Sequence, residues 1–191
     1  MTPASLAGYT LPLALSLLLT ACGGSGDTEL AAPQPITDGD SCHVCGMLIQ
    51  ELPGPKGQAY LNRDASARKF CSTTDLFAFL LQPENETRLS HAWVHDVGVT
   101  PWTTPSDDAF ILASEAYYVV EHERRGAMGH TLAPFAEARL AEAFQETYGG
   151  RILTFEEIDL ELLTELGRRD AVMQPGGHHG ETGAGGHMHG H

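Results

Sequence analysis

Between positions 42 and 47 the chain reads Cys-His-Val-Cys-Gly-Met. Two thiols, an imidazole and a thioether, all soft or borderline metal donors, fall within six residues. Thiolate and thioether sulfurs select monovalent copper over hard cations, because affinity follows ligand softness as well as geometry. With Gly46 extended, Cys45 and Met47 project to one face, as residues two apart do in a strand, and grip a single ion from one side. The spacing points to a soft-metal site for Cu(I), begun by Cys45 and Met47. Cys45 ligates as the thiolate, and a bound cation lowers the pKa that otherwise keeps it protonated. Met47 carries no proton to displace. A methionine met alone is usually core, but here it adjoins Cys-x-x-Cys and a glycine.

Further donors lie downstream. Met128 sits in a glycine-flanked loop, Gly126-Ala127-Met128-Gly129-His130, with little apolar company. It offers a second thioether, His130 a third donor, and His43 an alternative imidazole. Cys42-x-x-Cys45 alone also reads as a redox dithiol, or as half of a zinc site completed by Cys71 and a histidine. No second Cys-x-x-Cys closes such a zinc shell. No thioredoxin-like β-α-β pattern places the motif at a helix start. Cys71, just before a predicted helix, reads as a small buried hydrophobe. Near the C-terminus, His178, His179, His187, Met188, His189 and His191 stand among glycines and form, with Cys42, auxiliary metal candidates. Asp107-Asp108 and Glu156-Glu157 read as surface and helix-start acids. With no nucleophile-base-acid constellation, the chain is not expected to be an enzyme.

The frame for these donors is 191 residues with 25 acidic and 11 basic side chains, a net charge of −14. That length supports a proper core, and nothing resembles the clustered Lys and Arg of a nucleic-acid binder. Leu11 to Leu19 is apolar but too short to span a bilayer, which suits a signal peptide over residues 1–21. Cys22 follows as a lipidation site, so acyl chains would anchor the exported domain at a membrane. Residues 22–40, rich in Gly, Ser, Ala and Pro, are expected to form a flexible tether. Within 41–168, a strand near Gln58–Arg63 precedes a helix capped by Ser72, with Asp75 at its third position, running to about Gln82. His91–Val97 and Ala116–Glu121 carry strand signals. Pro134 is expected in the first turn of a helix bearing Phe135, Ala138, Ala141, Phe144 and Tyr148. A short strand at Arg151–Leu153, a Thr154/Glu157 capping box and a helix to about Leu166 complete the domain. The pattern predicts an α+β body of two small β-β-α-β units side by side, about 41–98 and 109–166. Residues 169–191 are expected to be a disordered His-rich tail.

Taken together, the Leu19-Thr20-Ala21-Cys22 lipobox, Cys45-Gly46-Met47, Gly126-Ala127-Met128-Gly129 and Pro134-Phe135 resemble the NosL family of copper chaperone lipoproteins. So do Ala92-Trp93-Val94-His95-Asp96 and Ala116-Tyr117-Tyr118-Val119, and the likeness runs from about Cys42 to Ile158. The resemblance implies a fold similar to a domain of organomercurial lyase. It implies one Cu(I) held first by Cys45 and Met128, then Met47, then His130 and His43. It also implies delivery of copper to the copper-sulfide centre of apo nitrous oxide reductase, alongside a membrane ABC-type maturation complex, from the periplasmic face of a bacterial membrane. Cys42, Cys71 and the tail stand outside the pattern. They leave open a second metal or a Cys42–Cys45 disulfide. The competing readings are a periplasmic thiol-disulfide oxidoreductase using Cys42 and Cys45, and a structural zinc lipoprotein.

Overall fold

The computed structural model describes residues 30–173. The first half contains β1 (Gly57–Leu61), β2 (Arg68–Phe70), α1 (Thr73–Leu80), the single turn α2 (Pro83–Glu86), β3 (Leu89–His95) and β4 (Phe110–Leu112). The second contains β5 (Tyr117–Val120), β6 (Arg125–Gly126), β7 (Gly129–His130), β8 (Ala133–Phe135), α3 (Ala138–Tyr148), β9 (Arg151–Leu153) and α4 (Leu160–Met173). Two antiparallel sheets result, ordered β2-β1-β3-β4 and β8-β5-β9. Each half contains the β-β-α-β run the sequence predicts, and β5 lies between β8 and β9 in its sheet; β4, which falls within the expected second unit, instead pairs with β3 and extends the first sheet. Into the second half is inserted the hairpin β6–β7.

Local chemistry accounts for most boundaries. The Ser72 side chain accepts from the Asp75 backbone N–H at 3.0 Å and opens α1. A capping box joins Thr154 and Glu157 around the short turn Phe155–Glu157 ahead of α4. The two halves share a core in which Phe77 of α1 meets Tyr118 of β5 edge to face, centroids 5.2 Å apart. Trp102, Val119, Phe135 and Ala141 form a smaller cluster beneath α3.

Three expectations change. Pro134 lies in β8, an edge strand, and α3 starts only at Ala138. A proline is tolerated at an edge because its missing N–H deprives no neighbour; its carbonyl accepts from Val97 N–H at 2.9 Å. Residues 31–36, assigned to a free tether, are pinned to the first sheet. The Ala31 carbonyl accepts from Trp93 Nε1, Ala32 from the Tyr60 hydroxyl, and Gln34 pairs its backbone with the Gln58 amide. Finally, α4 continues through Met173, so residues 169–173 are helix rather than tail. Cys22 and the candidates at 178–191 lie outside the described residues.

Two buried histidines set an acid limit on this fold. Burial, and then the nearby Lys56 charge, hold His95 down to about 3, while its ring packs 4.0 Å from Phe110. Burial, then His130, holds His122 down to about 4 between the rings of Trp102 and Phe144. An unfolded imidazole titrates near 6.5, so between about pH 6.5 and 4 the unfolded chain binds more protons and stability falls as pH falls. For the reduced, metal-free protein, urea midpoints should drop from pH 7.5 to 4.5 by an amount worth roughly 2 kcal/mol or more per histidine. A flat profile would show that these rings take up protons as readily in the folded state as in the unfolded one.

Candidate metal centre

The segment carrying the first donors is closed at its base by a bridge between Ser41 and Leu48. Inside it, Cys42 N–H donates to the Met47 carbonyl at 2.8 Å, and Gly46 N–H to the Cys42 carbonyl at 2.8 Å. Gly46 has φ +74°, a conformation that favours glycine. It is therefore a turn residue, and the extended geometry expected to align Cys45 with Met47 is not the one adopted. The turn instead tucks Cys42 fully under the surface and leaves Cys45 half-buried beside it.

Both sulfurs meet the start of α1. Cys42, Cys45, Cys71 and Asp75 each offer a donor atom, and all four lie within 4.8 Å of one another. The Cys42 and Cys71 thiols each donate to Asp75 Oδ2 at 3.2 Å, and Cys45 Sγ stands 3.6 Å from Cys71 Sγ. The helix cap explains half of this: Ser72 is extended and its side chain accepts from the Asp75 N–H, which folds Cys71, just before the cap, onto the first turn of α1. In sequence, Cys71 looks like core and Asp75 like a helix-start acid. Their four-residue spacing ahead of a helix was the available signal.

Electrostatics make the cluster a proton-loaded trap. Burial pushes the Cys42 thiol up. Burial, then the hydrogen bond to Asp75 and its charge, hold the Cys71 thiol far above the ordinary thiol range. Several anions in one desolvated spot repel one another, so the thiols keep their protons until a cation replaces them. Three sulfurs and one carboxylate suit a soft or borderline ion.

The remaining candidates lie outside this four-donor group. The His43 ring packs edge-on against Phe79 and Phe70, at 5.2 and 6.0 Å, while the His43 backbone N–H donates to the Lys69 carbonyl at 2.9 Å. His130 is buried with its Nε2 3.8 Å from Asp170 Oδ1. Met47 and Met128 are exposed, 43% and 42%. Met128 occupies the tip of the β6–β7 hairpin, where the register pairs Gly126 with Gly129 and leaves two residues in the turn. That hairpin is stitched to the cluster's own helix turn. Thr74 Oγ1 donates to the His130 carbonyl at 2.9 Å, and the Thr73 hydroxyl meets Thr131 at 2.9 Å, both from residues lying between Cys71 and Asp75.

An α+β fold of paired β-β-α-β units with a thiol-rich, metal-sized donor cluster at one loop is the class of protein this chain represents. Comparison with known proteins narrows it. The NosL family model matches residues 33–163. A copper-binding lipoprotein NosL from Stutzerimonas stutzeri is 44% identical over 182 residues, covering 95% of this chain and 93% of that one. Its counterpart from Achromobacter cycloclastes is 33% identical over 162 residues, covering 83% of each. The crystal structure of the copper chaperone NosL from Shewanella denitrificans superposes with a TM-score of 0.68 at 44% identity, covering 69% of this chain and 98% of that one. The chain belongs to the NosL family.

Proposed function

We propose that this protein is a lipid-anchored extracytoplasmic Cu(I) chaperone that supplies copper for the copper-sulfide centre of nitrous oxide reductase, working beside a membrane ABC-type maturation complex. One observation carries the copper reading: three thiols and a carboxylate converge within 4.8 Å. Met47, exposed on the 41–48 turn, and Met128, exposed on the hairpin bonded to the start of α1, are the thioether candidates. Relatives named copper-binding lipoprotein and copper chaperone support it. Anchorage rests on Cys22 and on the lipoprotein naming of those relatives. Among the described residues no helix is long and apolar enough to cross a membrane.

The geometry suits holding and release. Cys42 and Cys71 are enclosed, whereas Cys45 reaches solvent. An incoming thiolate or imidazole of a client therefore meets the ion on the Cys45 side. It can join the coordination sphere before a chaperone ligand leaves, so no step needs a catalytic acid or base. Selectivity lies in ligand softness. The oxidoreductase reading fits poorly, because the Cys42–Cys45 pair lies in the 41–48 turn and not at a helix start, where a redox dithiol gains its lowered pKa.

A second reading has one specific observation behind it: a four-donor S3O set also completes a tetrahedral zinc shell. Anaerobic Cu(I) titration of the reduced protein against a strong competing chelator, which keeps weak histidine sites empty, separates the two. Copper chaperoning predicts one tightly held, exchangeable Cu(I) per chain, with Cys45→Ala weakening it by roughly 100-fold or more, since even outer-shell losses cost 10- to 100-fold. Met128→Ala should weaken it about tenfold on the same scale. Parent-like binding by both variants would sink the site, and zinc that leaves only with unfolding would favour the structural reading.

A further inference from the structure

Met128 stands on an element that cannot hold its own position. The β6–β7 hairpin pairs only two residues with two, and isolated two-stranded hairpins are marginal in water even when longer. What fixes its outer side is a single carboxylate on the last turn of α4. Asp170 makes an ion pair with Arg125 on β6, Nη2 to Oδ1 2.5 Å. Its other oxygen accepts from the His130 backbone N–H on β7 at 2.8 Å. One side chain thus grips both strands of the hairpin, within two or three residues of Met128. Gly129 leaves room for it: a Cβ there would come within 2.6 Å of Asp170 Oδ2, and the residue's φ is +95°. On the opposite side, Thr74 holds the His130 carbonyl and Trp102 Nε1 donates to the Arg125 carbonyl at 2.9 Å.

We propose that Asp170 is a positioning residue for the copper site: by clamping β6 and β7 to α4, it fixes where the Met128 thioether stands relative to the cysteine cluster and so sets Cu(I) affinity. The proposal rests on the copper reading above. Its physics is preorganisation. A loop donor contributes fully only if the binding-competent position is already populated, and apparent affinity falls in proportion to that population. A hydrogen bond to a carboxylate is stronger than a neutral one, and here one such bond, from the His130 N–H, and an ion pair with Arg125 converge from different strands on a half-buried group. Without them the hairpin keeps its attachment to α1 but loses its outer support.

The test is Cu(I) competition titration of the reduced full chain for the parent, Asp170→Asn, Met128→Ala and the double variant. Asp170→Asn should weaken binding about fivefold when Met128 is present, as expected if a position itself worth about tenfold falls to roughly a tenth of its population, and by less than twofold when Met128 is already Ala. Hydrogen exchange at the His130 amide should speed up in Asp170→Asn, while the amides of β1 and β3 stay protected. Arg125→Gln cuts the same clamp from the hairpin side and should act in the same direction. Equal losses in both backgrounds, or parent-like affinity in Asp170→Asn and Arg125→Gln, overturns the positioning role and leaves the copper reading intact. Parent-like affinity in Met128→Ala removes Met128 as a ligand and takes the proposal with it.

Discussion

Cys71→Ala is expected to abolish tight Cu(I) binding as completely as Cys45→Ala does, although Cys71 belongs to no local metal motif. Its sulfur lies 3.6 Å from that of Cys45 and shares Asp75 with Cys42. Replacing it removes one of three thiolate donors from a buried position that no other side chain can fill. A loss of roughly 100-fold or more in affinity follows, because even second-shell changes at metal sites cost 10- to 100-fold. The apo fold should survive, since trimming one buried sulfur costs about 1–2 kcal/mol. Asp75→Asn is the informative partner. It keeps the shape and the helix cap, whose hydrogen bond runs from the Asp75 backbone to Ser72, but removes the carboxylate charge. It should therefore weaken copper less than Cys71→Ala while making the thiols easier to deprotonate, a shallower pH dependence of binding. The check is competition titration at two pH values together with a urea melt of each apo protein. Parent-like affinity in Cys71→Ala would confine the site to Cys45 and the methionines.

How the sequence fared differs between fold and site, for one reason. Secondary structure here is written in local patterns. Arg151–Leu153 has the boundaries the sequence predicts, and the capping box at Thr154 and Glu157 is where side-chain spacing places it. Pro134 shows the limit of such patterns, since a proline before a helical stretch satisfies both a helix first turn and an edge strand. Tertiary pairing decides between them: β8 lies against β5, and the Pro134 carbonyl takes the Val97 N–H. The docked segment 31–36 was hidden more thoroughly, because it is held chiefly by its own backbone carbonyls, which carry no side-chain signature. At the site, Cys42 and Cys45 were legible because their spacing is local. Cys71 and Asp75 each had a sufficient local explanation, as core and as helix-start acid. Both explanations are true: Cys71 is fully buried and Asp75 sits one turn into α1. What no local pattern records is that β2 and α1 bring them beneath the 41–48 turn.

That tertiary arrangement also decides which disulfide the apo protein can form. Sequence favours Cys42 with Cys45, whereas geometry favours Cys45 with Cys71. Their sulfurs, 3.6 Å apart, need to close by only about 1.5 Å to reach a bond length near 2.05 Å. Cys42 and Cys71 are both enclosed and both bonded to Asp75, so it is closeness to the Cys45 sulfur that separates them. With diamide as oxidant, the solvent-reached Cys45 sulfur adds to the azo nitrogen. Cys71 then displaces the reduced hydrazine, so two thiols become one disulfide and the azo group takes up two electrons and two protons. Oxidation ties up two of the cluster's three sulfurs, so Cu(I) affinity should fall by roughly 100-fold or more, on the same scale as ligand loss. Dithiothreitol should restore it. Prior loading with Cu(I) should protect the protein, because both sulfurs are then engaged with the metal and unavailable for attack. Peptide mapping of the oxidised apo protein reads the answer directly. A Cys45–Cys71 crosslink confirms that the chemistry of this site is set by the fold. A Cys42–Cys45 crosslink would instead show that the local dithiol governs it, and would return the oxidoreductase reading to consideration.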